Sequence, residues 1–350
     1  MPVLTERENC LRAIRFQEPE WIPCRVVLSG AIWKRHREAL DELVLRHPLI
    51  FGSRESEKGN YDDFPPQSKA GERFTDSWGC VWHNLADGIR GQVKGHPLAD
   101  WKAFSAYRAP DPLATNELGP RDRWEKVRAD VEKARSQGKM VWGGGDRFFE
   151  RLHFLRGFRN LMLDLHLDPP QLGSLIDMVV DHNSRLVAKW VELGADCIAM
   201  GDDLGTQTRA MISPALFRKH LLPGYARMCS IARQGGCEAY MHSDGHITEL
   251  MQDLIAAGFT VINPQVNCNG IKALVKMCKG RICLDADIDR QQVLPRGSPE
   301  QVRKHIEDIV LNLGSREGGL MMIAGVYGDV PLENIEALCQ AMEDYSHHYS

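Results

Sequence analysis

The stretch Cys237-Glu238-Ala239-Tyr240-Met241-His242-Ser243-Asp244-Gly245 is a short apolar run that ends in polar residues and a glycine. A helical pattern precedes it from Pro214 to Gln234, and another follows it over 246–257. Helix, buried strand, polar end and next helix is the repeating order of βαβ units, which build parallel sheets. The stretch therefore predicts one strand of a parallel α/β fold, with its polar end at the carboxyl edge of the sheet.

The same order recurs through the second half of the chain. An early strand over 24–28 and one more near 150–165 bring the predicted number to eight, which closes a barrel. We therefore predict the α/β class, as a (β/α)8 TIM barrel with an N-terminal extension. An open doubly wound sheet is the alternative, but its Gly-x-Gly-x-x-Gly turn follows none of the predicted strands. The six strands predicted in the second half cover 140–145, 195–203, 237–242, 259–264, 281–287 and 320–325.

Residues 50–112 have a different character, because Gly, Pro, Asp and aromatic residues are frequent there and no long period holds. Short strands are predicted within Arg73–Trp82 and Gly91–Leu98. A structureless loop of this length is uncommon inside a compact domain. We therefore predict an inserted region of loops and short strands that covers one end of the barrel, within a single domain over residues 1–350.

Composition excludes several classes of function. The 350 residues carry a net charge of −4 without a basic tract, so nucleic acid is not an expected partner. No run approaches the ~18 apolar residues that cross a bilayer, and the charged start is not a signal peptide. The 10 cysteines form no Cys-x-x-Cys pair. Reduced thiols in a cytoplasmic protein, with no membrane partner, are expected.

The candidate active site lies at the carboxyl ends of the strands, as in other barrels of this kind. His242 and Asp244 are two residues apart, so both can face the mouth, where they can bind a metal or act as an acid–base pair. The alternative is that Asp244 caps the next helix and that His242 is a core residue. Asp202 and Asp203 are adjacent, so only one of them is expected to enter the cavity.

Several short motifs occur in an order and spacing that are characteristic of a known family. On these motifs the chain resembles the uroporphyrinogen decarboxylase superfamily over nearly its whole length. The resemblance implies a (β/α)8 barrel, in agreement with the order of the predicted elements. The motifs are Thr5-Glu6-Arg7, Trp21-Ile22-Pro23, Asp76-Ser77-Trp78-Gly79, Phe149-Glu150-Arg151-Leu152-His153-Phe154-Leu155-Arg156-Gly157, Ser213-Pro214-Ala215-Leu216-Phe217, His242-Ser243-Asp244-Gly245 and Asp329-Val330-Pro331-Leu332-Glu333-Asn334-Ile335.

Two branches of this superfamily differ in the residues that they require. True uroporphyrinogen decarboxylases carry an arginine-rich motif after the first strand, where this chain reads Arg25-Val26-Val27-Leu28-Ser29-Gly30 with one arginine. A substrate with many carboxylates needs more positive charge than Arg25 supplies, so the porphyrin reaction is not expected. Cobalamin-dependent methyltransferases bind zinc through His-x-Cys and a distant cysteine. Here Asp244 replaces the first cysteine, and the distant place reads Gly325-Val326-Tyr327, so that cysteine is missing too.

The remaining resemblance is to the methyltransferases of anaerobic O-demethylation. These pass a methyl group from a methoxylated aromatic, or another methylated small molecule, to a corrinoid carried by a partner protein. The alternatives are a decarboxylase of a smaller acid and a non-catalytic paralogue that binds a ligand. A homodimer is compatible with the fold. The catalytic residues implied are His242, Asp244, Asp202 and Asp203. Substrate contacts are expected from Arg25, Trp78, Phe149, Asn263 and Tyr327. Zinc is a candidate cofactor, with His242, Asp244 and Cys283 as its ligands.

Overall fold

The computed structural model describes residues 4–52 and 59–349, which cluster into two compact units. Unit 1 contains the described residues of Met1–Glu8, Phe74–Trp82 and Val93–Ile262. Unit 2 contains those of Asn9–Arg73, His83–Gln92 and Asn263–Ser350. The single domain over 1–350 stays a prediction.

Helices alternate with strands through most of the chain. The strands are β1 (Cys24–Leu28), β2 (Arg73–Thr75), β3 (Val81–His83), β4 (Gln92–Gly95), β5 (Thr115–Asn116), β6 (Gly119–Pro120), β7 (Trp142–Gly144), β8 (Cys197–Gly201), β9 (Glu238–Ser243), β10 (Val261–Pro264), β11 (Cys283–Asp287) and β12 (Leu320–Val326). The helices are α1 (Glu6–Arg15), α2 (Gly30–Arg46), α3 (Pro48–Phe51), α4 (Trp124–Ser136), α5 (Phe149–Arg156), α6 (Phe158–Leu167), α7 (Pro170–Leu193), α8 (Pro214–Leu216), α9 (Leu222–Gln234), α10 (Met251–Ala257), α11 (Val266–Asn269), α12 (Ile271–Cys278), α13 (Val293–Arg296), α14 (Pro299–Leu313) and α15 (Leu332–Ser346).

The sheet of unit 1 places the strand ends that matter for the site. Strands β7, β8 and β9 are parallel and pair in this order, and Gly201 lies opposite His242. A Cβ at Gly143 would lie 2.7 Å from the Cβ of Trp190 in α7, so β7 packs tightly against that helix. Because side chains alternate along a strand, the residues before and after Gly143 face away from α7. By register, Tyr240 and His242 share that face.

Helix α7 covers the opposite face of this sheet, and its ends are defined by the sequence. Pro170 stands at its first turn, where a missing N–H is harmless, and Gly194 ends it in the left-handed conformation at φ 83°. Between them, buried Leu172, Leu175 and Val179 recur at helical spacing. This apolar stripe is what holds the helix on the sheet.

Unit 2 has its own parallel strands, in the order β1, β12, β11. Cys24 lies opposite Met322, and Leu284 opposite Leu320. Helix α14 begins with a capping box in which the Ser298 side chain accepts from the backbone of Gln301 and the Gln301 side chain accepts in return. Helices α14 and α15 pack against each other.

Most of the predicted elements are confirmed. All six strands expected in the second half are present, as are the strand over 24–28 and short strands within 73–82 and 91–98. The strand expected near 150–165 is wrong, because this range forms α5 and α6 around Gly157, which has φ 81°. The apolar residues of this range form the buried faces of the two short helices.

Other expectations need smaller changes. The helix expected over 214–234 is divided by a π-helical segment, Phe217–Leu221, and the helix expected from residue 246 begins at Met251. Residues 53–58 of the inserted region lie outside the described residues. Within the described part of the chain, no helix combines the length and apolarity that a membrane crossing requires.

Candidate active site

Two loops follow the carboxyl ends of β8 and β9, and backbone hydrogen bonds join them. The N–H of Gly205 donates to the carbonyl of Asp244 at 3.2 Å, and the N–H of His246 donates to the carbonyl of Thr206 at 2.7 Å. These bonds cross from one loop to the other in both directions. The side chains that follow the two strands are therefore held in a fixed relationship.

Two glycines permit this close approach of the loops. A Cβ at Gly245, whose φ is +78°, would lie 2.4 Å from the carbonyl carbon of Gly205. A Cβ at Gly205 would lie 2.5 Å from the backbone nitrogen of His246. Both distances are far inside van der Waals contact, so any side chain at these positions would force the loops apart.

His242, Asp203 and Asp244 converge where the loops meet. The Nε2 of His242 lies 3.4 Å from Oδ1 of Asp244 and 3.9 Å from Oδ1 of Asp203. The backbone N–H of Asp244 donates to the carboxylate of Asp203 at 3.2 Å. The three side chains are 35–43% exposed, so a small molecule can reach them. The two adjacent aspartates do diverge, and Asp203 is the one that joins His242.

Asp202 has a different environment from its neighbour. It is fully buried, and its carboxylate accepts hydrogen bonds from the backbone N–H groups of Phe148 and Glu150 and from the hydroxyl of Tyr225. Burial raises the pKa of Asp202 to about 6, against these three donors. Because its carboxylate accepts hydrogen bonds from the backbone of Phe148 and Glu150, Asp202 fixes the start of α5. Direct participation of Asp202 in catalysis stays a prediction.

Glu150, in the first turn of α5, lies beside the cluster and was not singled out from the sequence. The backbone N–H of Asp203 donates to its carboxylate, and Arg147 lies 3.2 Å away. Burial, followed by the negative charge of Asp202, raises the pKa of Glu150 to about 8. No sequence pattern reveals this, because both the burial and the charge of Asp202, which raise the pKa, arise from the folded arrangement.

A buried ion network also holds α5 in position. The Arg151 guanidinium is wholly buried and lies 2.7 Å from Asp76, 2.9 Å from Asp146 and 3.1 Å from Glu117. These three carboxylates raise the pKa of Arg151 despite its burial. Arginine satisfies several carboxylates at once through its forked N–H donors. The network thereby anchors the helix that carries Glu150.

The two aromatic residues expected to contact substrate in unit 1 are both buried. Phe149 has no exposed surface, and its ring contacts that of His153. Trp78 lies against the Arg151 guanidinium, 5.1 Å from ring centroid to Cζ, and against His182. Both residues pack within the protein, and a contact of either with substrate stays a prediction.

The expected residues of unit 2 are placed as follows. Arg25 forms a 2.9 Å ion pair with the buried Asp285, whose carbonyl accepts a hydrogen bond from the Asn263 amide. Tyr327 is partly exposed, and its hydroxyl accepts from Arg290 at 3.2 Å. Substrate contacts by Arg25, Asn263 and Tyr327 stay predictions.

The donor set of the cluster decides which metals fit it. Within the ranges that the structure describes, one group of His, Cys, Asp or Glu side chains brings three ligand atoms within 4.8 Å of one another, and it consists of Asp203, His242 and Asp244. One imidazole nitrogen and two carboxylate oxygens suit divalent cations. A zinc site built on thiolates does not fit this group. Cys283 is not a member, and it is buried in β11.

One solved structure shares its fold with nearly the whole chain, and a second is similar over part of it. A methyltransferase from Methanosarcina mazei matches with a TM-score of 0.68 and 17% identity, over 98% of this chain and 99% of that chain. A dihydropteroate synthase from Xanthomonas albilineans in complex with 7,8-dihydropteroate matches with a TM-score of 0.35 and 15% identity, over 58% of this chain and 67% of that chain. The predicted α/β fold of the barrel type is confirmed by the first match.

Sequence comparisons define the family. A search of curated proteins gave no match. The profile of the family described as uroporphyrinogen decarboxylase (URO-D) matches residues 153–345, which is more than half of the chain and includes β8, β9 and the cluster at their ends. The resemblance expected from the motifs is confirmed, and the chain belongs to the uroporphyrinogen decarboxylase (URO-D) family.

Proposed function

We propose that this protein is a methyltransferase that moves a methyl group from a methylated small molecule, with methoxylated aromatics as the first candidates, to a corrinoid held by a partner protein. The observation that carries the proposal is the convergence of His242, Asp203 and Asp244 at the strand ends of a URO-D family chain. The fold likeness to a methyltransferase supports the same reading. The cytoplasm is the proposed location.

The residues of the cluster would act on the leaving atom of the methyl donor. When the bond from carbon to oxygen breaks, the oxygen keeps the electron pair and needs a proton or a positive group beside it. The imidazole of His242 can donate a hydrogen bond to that oxygen, and the carboxylates of Asp203 and Asp244 orient the ring. The corrinoid supplies the nucleophilic cobalt that accepts the methyl group.

The fixed loops make this arrangement suitable for group transfer. Catalytic groups that are already oriented lower the barrier, because little freedom is lost when the substrate binds. The hydrogen bonds between Gly205 and Asp244 and between His246 and Thr206 provide this orientation. The exposed side of the cluster leaves access for the donor and for the protein that carries the corrinoid.

The test is anoxic incubation of the full chain with a reduced corrinoid protein and a panel of methoxylated aromatics, followed by the absorption spectrum of the corrinoid. We expect methylation from at least one donor. His242→Ala should reduce its rate by about 100-fold or more, which is the usual contribution of an acid–base group. His166→Ala, an exposed histidine on α6, serves as the matched control and should leave the rate unchanged.

Other outcomes would contradict the proposal. Absence of corrinoid methylation with every donor would count against methyl transfer. Release of carbon dioxide from an acid without any corrinoid would identify a decarboxylase instead. If His242→Ala kept the full rate, the cluster would not be the site of the reaction.

A further inference from the structure

We infer that the exposed face of α6 is the interface through which two copies of this chain form a dimer. Helix α6 exposes Phe158, Leu163 and Leu167. Leu161 and Leu165 are buried on its other side, so one face attaches the helix to the protein. Among the residues that the structure describes, eleven large hydrophobic side chains are exposed, and this ten-residue helix holds three of them. Apolar side chains that gather on one surface indicate a contact with another protein.

Helix α4, at the surface of the same unit, has an ordinary solvent-exposed face. Its exposed positions include Glu125, Lys126 and Arg128, while Val131 is buried. A charged face of this kind is hydrated and needs no partner. The apolar face of α6 is therefore a property of that helix and not of the surface helices in general.

The charges at the two ends of α6 suit a second copy in the antiparallel orientation. Arg159 lies in the first turn, where the helix dipole disfavours a cation, and this turn has no acidic residue. Within the described ranges, Arg159 forms no ion pair with a carboxylate. Asp168 stands at the opposite end of the helix, where it is half exposed and lies 2.6 Å from Lys219.

A two-fold axis across the middle of α6 would bring these unlike ends together. In an antiparallel pair of helices, the first turn of each copy lies beside the last turn of the other, so Arg159 faces Asp168 at both ends. The ten residues of α6 are about 15 Å long in each copy, so both ends meet at once. The apolar side chains between them then pack against their symmetry mates, as a two-fold interface requires.

The position of α6 favours a second copy over the corrinoid carrier of the proposed function. Such a carrier must bring its cobalt to a methyl donor beside His242, so its contacts must surround the strand ends. Helix α6 instead begins after Gly157, about 10 Å along α5 from Glu150. The dimer is therefore independent of the proposed function.

The experiment is sedimentation velocity of the full chain, without methyl donor or corrinoid. One helix from each copy forms a small interface, so we expect a dissociation constant of about 1 μM or weaker, measured over concentrations that bracket it. Leu163→Glu should raise this constant by about 100-fold, because it places a charge in an apolar contact. Leu311→Glu, on α14, is the matched control, since Leu311 is 48% exposed and Leu163 is 49% exposed. It should dimerise like the wild type.

The two ion pairs are tested by mixing variants. Arg159→Glu and Asp168→Lys should each weaken self-association by about 10-fold, because like charges then face each other at both ends of the interface. In an equimolar mixture, one end pairs Arg159 with Asp168 as in the wild type. The other end pairs the introduced glutamate with the introduced lysine. The mixture should therefore dimerise with an affinity near that of the wild type, and circular dichroism checks that each variant is folded.

Three results would overturn the inference: a monomer at every concentration, unchanged self-association of Leu163→Glu, or a mixture that associates no better than its components. A monomeric wild type that loses methyl transfer in Leu163→Glu would assign this face to the corrinoid carrier instead. Self-association together with an absence of methyl transfer would contradict the proposed function alone.

Discussion

The hydroxyl of Tyr225 donates a 2.7 Å hydrogen bond to Oδ2 of Asp202, and both side chains are almost completely buried. The same carboxylate accepts the backbone N–H groups of Phe148 and Glu150. Asp202 therefore acts as the link between the loop after β8 and the first turn of α5. Its neighbour Asp203, one residue along, remains accessible beside His242.

We expect Asp202→Ala to lower the free energy of unfolding by about 3 kcal/mol or more, because it leaves three buried donors without an acceptor. Tyr225→Phe removes one donor and should cost about 1 kcal/mol. Denaturant unfolding followed by circular dichroism measures both. A stable but inactive Asp202→Ala protein would show instead that Asp202 takes part in the chemistry.

Glu150 should make the folded protein less stable as the pH rises. Its pKa is raised from 4.5 to about 8 by burial, followed by the charge of Asp202. Between these values the folded state keeps a proton that the unfolded state has released, so stability is present below pH 4.5 and is lost as the pH approaches 8. We expect the difference in melting temperature between Glu150→Gln and the wild type to grow over this window, measured by differential scanning calorimetry.

Comparing Glu150→Gln with the wild type at each pH cancels the effect of the other titrating groups on stability. His153 and His182 have pKa values lowered to about 4 by burial, so they act in the opposite direction below pH 6.5 in both proteins. Glu132→Gln, on the exposed side of α4, is the control and should follow the wild type. A constant difference across the range would mean that Glu150 is not protonated in the folded state.

The sequence was sufficient for the strands that lead to the candidate site, and strand-end position identified His242 and Asp244 as candidates. Short apolar runs bounded by polar ends identify buried strands even without tertiary information. The strand placed near 150–165 to complete a barrel of eight was wrong, because the apolar residues there belong to α5 and α6 and are buried by contacts with distant parts of unit 1.

The environments of three acidic side chains, Asp202, Asp203 and Glu150, could be predicted only in part. Alternation along a strand indicated that the two aspartates diverge, but not which one would be buried. Glu150 was missed because its raised pKa arises first from burial and then from the charge of Asp202, which lies 52 residues away in sequence. Long-range electrostatics of this kind leaves no local pattern.

Substitutions in the cluster at the strand ends should reduce activity and leave stability nearly unchanged. His242→Ala, Asp203→Asn and Asp244→Asn alter half-exposed side chains, so we expect each to change the free energy of unfolding by less than about 1 kcal/mol. Each should reduce methyl transfer by about 100-fold or more. Parallel unfolding and activity assays test this. A variant that loses activity and stability together would assign a structural role to that residue.

Two adjacent glycines on β7 give opposite predictions. Gly143→Ala places a Cβ 2.7 Å from Trp190 and 2.9 Å from Ile198, so overpacking should cost about 1–3 kcal/mol. Gly144→Ala meets only the carbonyl oxygen of Ala199 at 3.6 Å, and it should leave stability nearly unchanged. Thermal unfolding of both variants measures this difference in stability. Equal destabilisation would contradict the close contact between β7 and α7.

Removal of the buried guanidinium should be more damaging than either glycine change. Arg151→Met leaves Asp76 and Asp146 buried without their common cation, and we expect a loss of about 3–5 kcal/mol. The double variant Arg151→Met with Asp76→Asn should be more stable than Arg151→Met alone, because one uncompensated charge is gone. Equilibrium unfolding of the two proteins gives the comparison, and an equally unstable double variant would contradict the charge argument.

The pairing of Arg151 with Asp76 joins two segments that are 75 residues apart in the chain. Asp76 belongs to the short-strand region, while Arg151 belongs to the helix that starts beside the candidate site. Arg151 keeps Asp146 and Glu117 if Asp76 is exchanged, whereas Asp76 loses its cation if Arg151 is exchanged, so the aspartate depends on the arginine more than the reverse. A chimaera that grafts residues 74–82 from a relative onto this chain should therefore be more stable when the graft carries an aspartate at position 76, opposite the retained Arg151.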